Sequence, residues 1–445
     1  MIIVNIFAFI ILCVSLFFYK RLAGSISLNN INTISFLLYR DIIPVVFIGS
    51  FLIYNNFVNN HPVIAMISDE IKVKGYLFAL YSILFMPLGM YIANLFFKIN
   101  SGLLYKEYLK RDLDLIFSEK SYRTIILYLL GISFLILFYI FINSPSIPMI
   151  STLRGDSELA SIQRRDNKVN FGGIIYIKNI LGYYFVPLVT YYIYCLKYKF
   201  NSNFFKLAFI FSLIMTVILL TFDTQKAPIV YFVLGMLVVE TLIKGKIPFM
   251  KLIIVFITSA FLIIMMYIIV TKQEIGNLLK FDSVIMYRLF VGQIGGYYLS
   301  LEWFPNVISD HTYFSGLPTF ILNFFGINNI ESARLLMMYF NPEGIKLGNA
   351  GLISSYYLGE AWANYGLIGL LISPIVVGFV VQSVHNWLIT SKKDPFNIAL
   401  YSIVTIKWVI TGGFVGFLFL KVLIIPFLLL LFYKLVLSLI IKIKL

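Results

Sequence analysis

The sequence predicts an all-α, polytopic integral membrane protein, and three observations carry that prediction. Hydrophobic residues make up 60% of the 445 positions and charged residues only 12%, about half the charge of an average soluble domain. Mean hydropathy is +0.92. The apolar residues fall in runs close to the roughly 20 needed to cross a bilayer core of about 30 Å. No stretch has the polar loops and amphipathic elements of a soluble domain, so residues 1–445 read as one membrane domain.

Eleven runs meet the criterion: 2–19, 34–57, 76–97, 124–142, 174–195, 207–222, 228–243, 252–271, 366–388, 397–418 and 422–441. The first lacks a positive n-region and a small-residue cleavage site, and Lys20 and Arg21 follow it. It therefore reads as an uncleaved anchor with its start outside. Lys and Arg are retained on the cytoplasmic side of short loops. With an outside N-terminus, 18 Lys and Arg fall inside and 13 outside, and four (Arg40, Lys178, Lys407, Lys434) fall within spans. The outside number is inflated by one 94-residue segment, 272–365, because long loops obey the rule poorly. This orientation puts the C-terminus in the cytoplasm.

Two outside excursions stand out. The first, 143–173, is polar and basic, with Arg154, Arg164, Arg165 and Lys168 among Asp156, Glu158 and Asp166. The second, 272–365, is rich in Tyr, Phe, Gly and Pro, and reads as short helices lying in or dipping into the outer interface. The +15 net charge is scattered through short loops, which argues against nucleic-acid binding. Cys13 and Cys195 give no disulfide framework, and His61, His311 and His385 lack metal-ligand spacing. No metal or cofactor is expected. Asp112-Leu-Asp114 is the one suggestive cytoplasmic motif, in a 26-residue loop too short for a nucleotide-binding domain. No phosphate-binding glycine motif accompanies it.

The outside face carries three candidate features. Residues 221–228, Thr-Phe-Asp-Thr-Gln-Lys-Ala-Pro, form a turn into a new span, with Pro228 suited to its first turn. Lys226 beside a helix N-terminus makes an anion site; the alternative is an Asp223–Lys226 pair closing a hairpin. Arg288 lies in an apolar, glycine-bearing stretch and needs an anion, either Asp282 or a phosphate. In the run 348–369, helical spacing puts Tyr356, Glu360 and Asn364 on one face. A carboxylate at the mouth of a span is a functional candidate, against the alternative of a structural ion-pair partner. Lys407, mid-span beside Trp408, either lines a cavity or pairs inward with a carbonyl.

With these placed, the chain resembles the bacterial oligosaccharide repeat unit polymerases, the O-antigen polymerase (Wzy-type) group. The resemblance covers the layout of spans and two outside loops, the larger one late. It also covers the turn Asp223-Thr-Gln-Lys226-Ala-Pro, where Lys226 stands in place of the usual Arg. Further similar elements are Asn349-Ala…Leu358-Gly-Glu360…Asn364-Tyr-Gly366…Gly369, Arg288 and Phe314-Ser-Gly316-Leu-Pro318. It implies a multi-pass glycosyltransferase of the bacterial inner membrane, acting in O-antigen, lipopolysaccharide or capsular-type polysaccharide biosynthesis. A growing glycan on undecaprenyl diphosphate would pass to a new lipid-linked repeat unit at the outer face, without a cofactor. The implied partners are the undecaprenyl-diphosphate-linked oligosaccharide, membrane lipids and a chain-length regulator protein. In that scheme Glu360, with Asp223 second, takes the acceptor proton. Lys226, Arg288, Arg164 and Arg165 steady the pyrophosphate, and Tyr356 and Asn364 contact glycan. The rivals are a lipid-linked oligosaccharide flippase or transporter, and an O-antigen ligase-type enzyme, for which His311 is the one histidine in the large loop.

The charge asymmetry predicts that reporter fusions at Lys110, Lys199, Lys246 and Lys393 report the cytoplasm, and those at Lys168 and Ser315 the outside. Cytoplasmic signals at both Lys168 and Ser315 would remove the basis for an outside site.

Overall fold

The computed structural model describes residues 2–225, 227–271, 276, 283–308, 310–317, 319–346, 350–418 and 421–444. Among them the chain is helical with no strand, as the composition requires. The long elements are α1 (Ile2–Ala23), α2 (Thr33–Tyr54), α3 (Asp69–Phe97), α4 (Ser101–Lys110), α5 (Glu119–Asn143), α6 (Pro148–Leu153) and α7 (Ser157–Val169). They continue with α8, whose π-helical Ile177–Phe185 runs into Val186–Phe200, then α9 (Asn203–Phe222), α10 (Ala227–Lys244) and α11 (Phe249–Thr271). After the late loop come α12 (Tyr357–Thr390), α13 (Pro395–Lys407) and α14 (Lys421–Lys444). Seven described helices are long and apolar enough to cross a membrane: α1, α2, α3, α5, α9, α10 and α12. The runs expected at 252–271 and 422–441 are the apolar helices α11 and α14, and the run at 174–195 is α8.

Loops gather at the two ends of the bundle as alternating spans require. At the basic end, Tyr105 donates to the carbonyl of Ile31, Ile247 N–H to that of Asn29, and Lys393 Nζ to those of Leu109 and Arg111. At the opposite end, Lys72 Nζ joins Asn56, Asn59 and Asp69, and Glu302 accepts from Ser68. Lys74 lies over the Trp362 ring at 4.3 Å. This second end carries the late loop and is called the loop end below.

Among the described residues three segments are π-helical: Leu38–Gly49 within α2, Ile177–Phe185 in α8, and Tyr287–Val291. The first two have a cause in proline. Pro44 lies inside the first and Pro187 just beyond the second; each lacks an N–H and crowds the carbonyl four residues back, which a wider turn relieves. Such widenings concentrate at functional sites, and these three carry Arg40, Lys178 and Arg288.

The sequence reading of 397–418 as one continuous span fails. α13 ends at Lys407, residues 408–414 are unwound, and only a short helix Val415–Leu418 follows. α12 is broken as well. Gly366 has φ 57° and ψ −138°, a backbone state open to glycine alone, and the chain doubles back there so that Gly369 meets the carbonyl of Ala361.

α3 and the C-terminal part of α12 cross with almost no separation. Any side chain at Gly89 would overlap the carbonyl of Ile375, and any at Gly378 that of Met86. Small residues facing each other are how helices pack tightly where lipid supplies no hydrophobic drive. Gly378→Val should therefore destabilise the folded protein by about 1–3 kcal/mol, read as a lower unfolding temperature in detergent. An unchanged transition would mean that the crossing is not close-packed.

Candidate functional site

The two broken helices meet. In the unwound stretch after α13, backbone groups lose their helical partners and need others. Arg40 supplies them, donating from Nη1 to the carbonyl of Ile406 (3.0 Å) and from Nη2 to that of Trp408. Its neighbour Asp41 holds Arg40 through both carboxylate oxygens (2.9 and 2.7 Å) and accepts the N–H of Ile410 at 3.3 Å. Both side chains are largely buried, at 12% and 5% exposure. Phe36, 5.0 Å from the guanidinium carbon, covers the pair.

The same unwound segment holds the start of α12. Tyr357 N–H donates to the carbonyl of Ile410 at 3.2 Å, and Glu360 Oε2 accepts the N–H of Val415 at 2.8 Å. Glu360 is 9% exposed. Its carboxylate lies between Gly413, where a methyl group would overlap Oε2, and Gly316 of the late loop, where a Cβ would stand 3.3 Å from Oε1. Opposite, the late loop caps the break at Gly366. The carbonyl of Ala363, which a continuous helix would give to residue 367, instead accepts from Thr312 N–H (2.9 Å) and faces His311 Nδ1 (3.1 Å). Thr312 Oγ1 donates to Asn364 Oδ1 at 2.5 Å, and Asn364 Nδ2 is buried without a protein partner among the described residues. Glu360 and Asn364 therefore share one wall, built against residues 311–316. Tyr356 does not share it. The tyrosine caps the start of α12, with its hydroxyl 3.1 Å from Ser82 of α3.

Asp223 lies elsewhere and is fully engaged. It is paired with Lys178 at 3.2 Å and accepts from Tyr183 at 2.5 Å. Lys178, 3% exposed, sits between the rings of Phe171 and Phe222. The hairpin alternative thus has Lys178 of α8 as the partner of Asp223. Lys226 lies outside the described residues, as do Asp282, Pro318 and Asn349. Arg164 and Arg165 are half-buried on α7, and Arg288 is exposed on its π-helical turn.

Sequence reasoning missed Arg40 and Asp41 as site residues. The available signal was two adjacent opposite charges inside an apolar run, which the charge tally recorded for Arg40 without a role. It also missed Lys178 as the partner of Asp223, and His311 and Thr312 as caps of a helix break. That break was invisible because Gly366 was read only as permitting close approach. No family model matches the chain, and neither a curated protein nor a solved structure matches it significantly.

Chemically, the arrangement offers a carboxylate held at fixed orientation beside loop backbone, an amide donor on the same wall, and cations at the loop end. Among the described residues no group of His, Cys, Asp and Glu is arranged to hold a metal ion. The Lys178–Asp223 pair gives a direct test. Removing one member of a buried pair typically costs about 3–5 kcal/mol, because the other charge is stranded. Lys178→Met and Asp223→Leu should each destabilise strongly, while the double variant should recover much of the loss in a thermal-unfolding cycle. Additive losses would mean that the two charges do not interact.

Proposed function

We propose that this chain polymerises lipid-diphosphate-linked oligosaccharide repeat units at the outer face of a bacterial cytoplasmic membrane, making O-antigen or capsular-type polysaccharide. The observation that carries the reading is the seat of Glu360: a buried carboxylate where two broken helices and the late loop converge. In this reaction the acceptor hydroxyl oxygen attacks the anomeric carbon of the donor glycan as its proton passes to Glu360. The bond from that carbon to the diphosphate oxygen breaks, and the lipid diphosphate leaves with the electron pair. A positioned base contributes on the order of a hundred- to ten-thousandfold. Asn364, on the same wall, is the glycan contact in this reading, its buried Nδ2 having no protein partner among the described residues. Lys226, Arg288, Arg164 and Arg165 are the cations assigned to the departing diphosphate, and bidentate Arg geometry suits phosphate oxygens. Asp223 is a weaker candidate for the base than the sequence suggested, since Lys178 and Tyr183 already occupy it. Tyr356 belongs to the α3–α12 contact and takes a packing role.

A second reading, a lipid-linked oligosaccharide transporter, has its own support. Interrupted helices within the membrane, with charges beside them, mark substrate paths in transporters. Arg40, Asp41 and Lys407 beside the break in α13 fit that pattern.

Deletion of the gene separates the two. A surface-polysaccharide ladder that collapses to single repeat units supports polymerisation, whereas loss of all surface glycan supports transport. Glu360→Gln keeps size and hydrogen bonding while removing basicity, so it should insert normally and yield mainly single units. A normal ladder from Glu360→Gln at matched membrane abundance would refute its role as base. Loss of the variant from the membrane would make Glu360 a structural residue.

A further inference from the structure

Among the described residues, Lys407 is the interior-facing cation of the spans that the bundle leaves without a carboxylate. Arg40 is taken by Asp41 and Lys178 by Asp223. Lys407 forms no hydrogen bond or ion pair among the described residues; its ammonium lies 4.9 Å from the centre of the Tyr184 ring. The usual structural role of a lysine ending a helix is to neutralise the last carbonyls. Here the carbonyls of Ile406 and Trp408 are engaged by Arg40 instead.

Depth makes this unusual. α13 has 13 residues, so Lys407 stands about 20 Å from the basic end at about 1.5 Å per residue, well inside a core of about 30 Å. An ammonium at that depth is unfavourable unless an anion or water meets it. Lys407 is only half-buried, so the group is reachable. Tyr184 of α8 packs against it, and Tyr231 of α10 lies by the neighbouring Arg40, its ring 5.9 Å from the guanidinium carbon. The Arg40 guanidinium is already neutralised by Asp41, which leaves the Lys407 ammonium as the charged donor here with no acceptor among the described residues. Such a donor suits phosphate oxygens.

We propose that Lys407 is an anion site within the membrane, holding a phosphate group of a lipid that enters between α8, α10 and α13. Resting on the functional reading above, the lipid is the diphosphate carrier of the glycan; the same chemistry is also offered by a bilayer phospholipid headgroup. The site lies apart from Glu360, so a diphosphate seated there leaves its glycan to extend toward the loop end.

The test measures binding, not glycan synthesis, so it stands or fails separately from the polymerase reading. Full-length protein in phosphatidylcholine nanodiscs is titrated with undecaprenyl diphosphate and, separately, with phosphatidylglycerol. Lys407→Gln should weaken undecaprenyl diphosphate binding by roughly ten- to hundredfold, the worth of one charged partner, and Lys407→Arg should restore most of it. If phosphatidylglycerol weakens in parallel, the anion site stands and the bilayer is its source. Unchanged binding of both lipids to Lys407→Gln overturns the proposal. Should the variant not fold, wild-type protein decides the matter with a diazirine placed beside the diphosphate of the polyprenyl probe. Labelling of Tyr184, Tyr231 or Trp408 supports the site, and labelling confined to the lipid-facing side of α1 refutes it.

Discussion

The contact on which the rest depends is the grip of Arg40 and Asp41 on the unwound chain after α13. Unwinding a helix inside a membrane exposes carbonyls and N–H groups that lipid cannot satisfy, at several kcal/mol for each group left alone. Two adjacent side chains meet both needs: the guanidinium donates to Ile406 and Trp408, and the carboxylate accepts from Ile410. In a regular α-helix adjacent residues point apart. The wider winding around Pro44 accompanies their joint approach to α13.

From that anchor the order passes outward. The unwound segment it fixes offers the carbonyl of Ile410 to the start of α12 and the N–H of Val415 to Glu360. The first turn of the half-helix bearing Glu360 is therefore tied twice to the unwound segment, and the late loop closes over the half-helix through Thr312, His311 and Gly316. A carboxylate fixed in this way is oriented in advance, as the base proposed above requires. The Lys178–Asp223 pair sits on a different wall, between α8 and the turn after α9, where it holds the first loop's Phe171 against the bundle.

How much of this was legible in the sequence follows from what each feature depends on. Helical class and the sorting of loops to two ends follow from composition and from run length, which are local. Glu360 and Asn364 were singled out because their spacing and their place beside glycines are local too. The broken helices were not: Gly412-Gly413 is a local breaker within 397–418, but the break is stabilised by Arg40, more than 360 positions away. For the same reason Lys178, 45 residues back, was not weighed as a partner of Asp223; the neighbour Lys226 was the partner considered, as an alternative to an anion site. Tyr356 was placed with Glu360 on the assumption that a single helix contained both, but α12 begins after Tyr356 and that side chain turns toward α3. Long-range polar pairing decides such details, and a single sequence does not record it.

The claim that Arg40 and Asp41 organise the site is tested most directly by backbone hydrogen–deuterium exchange on the purified protein in nanodiscs. In the wild type, amides of 408–418 and 357–360 should exchange slowly. In Arg40→Ala both segments should exchange faster together, by about tenfold or more, while α3 and the C-terminal part of α12 stay protected. Faster exchange in 408–418 alone, or no change in either segment, would contradict the account.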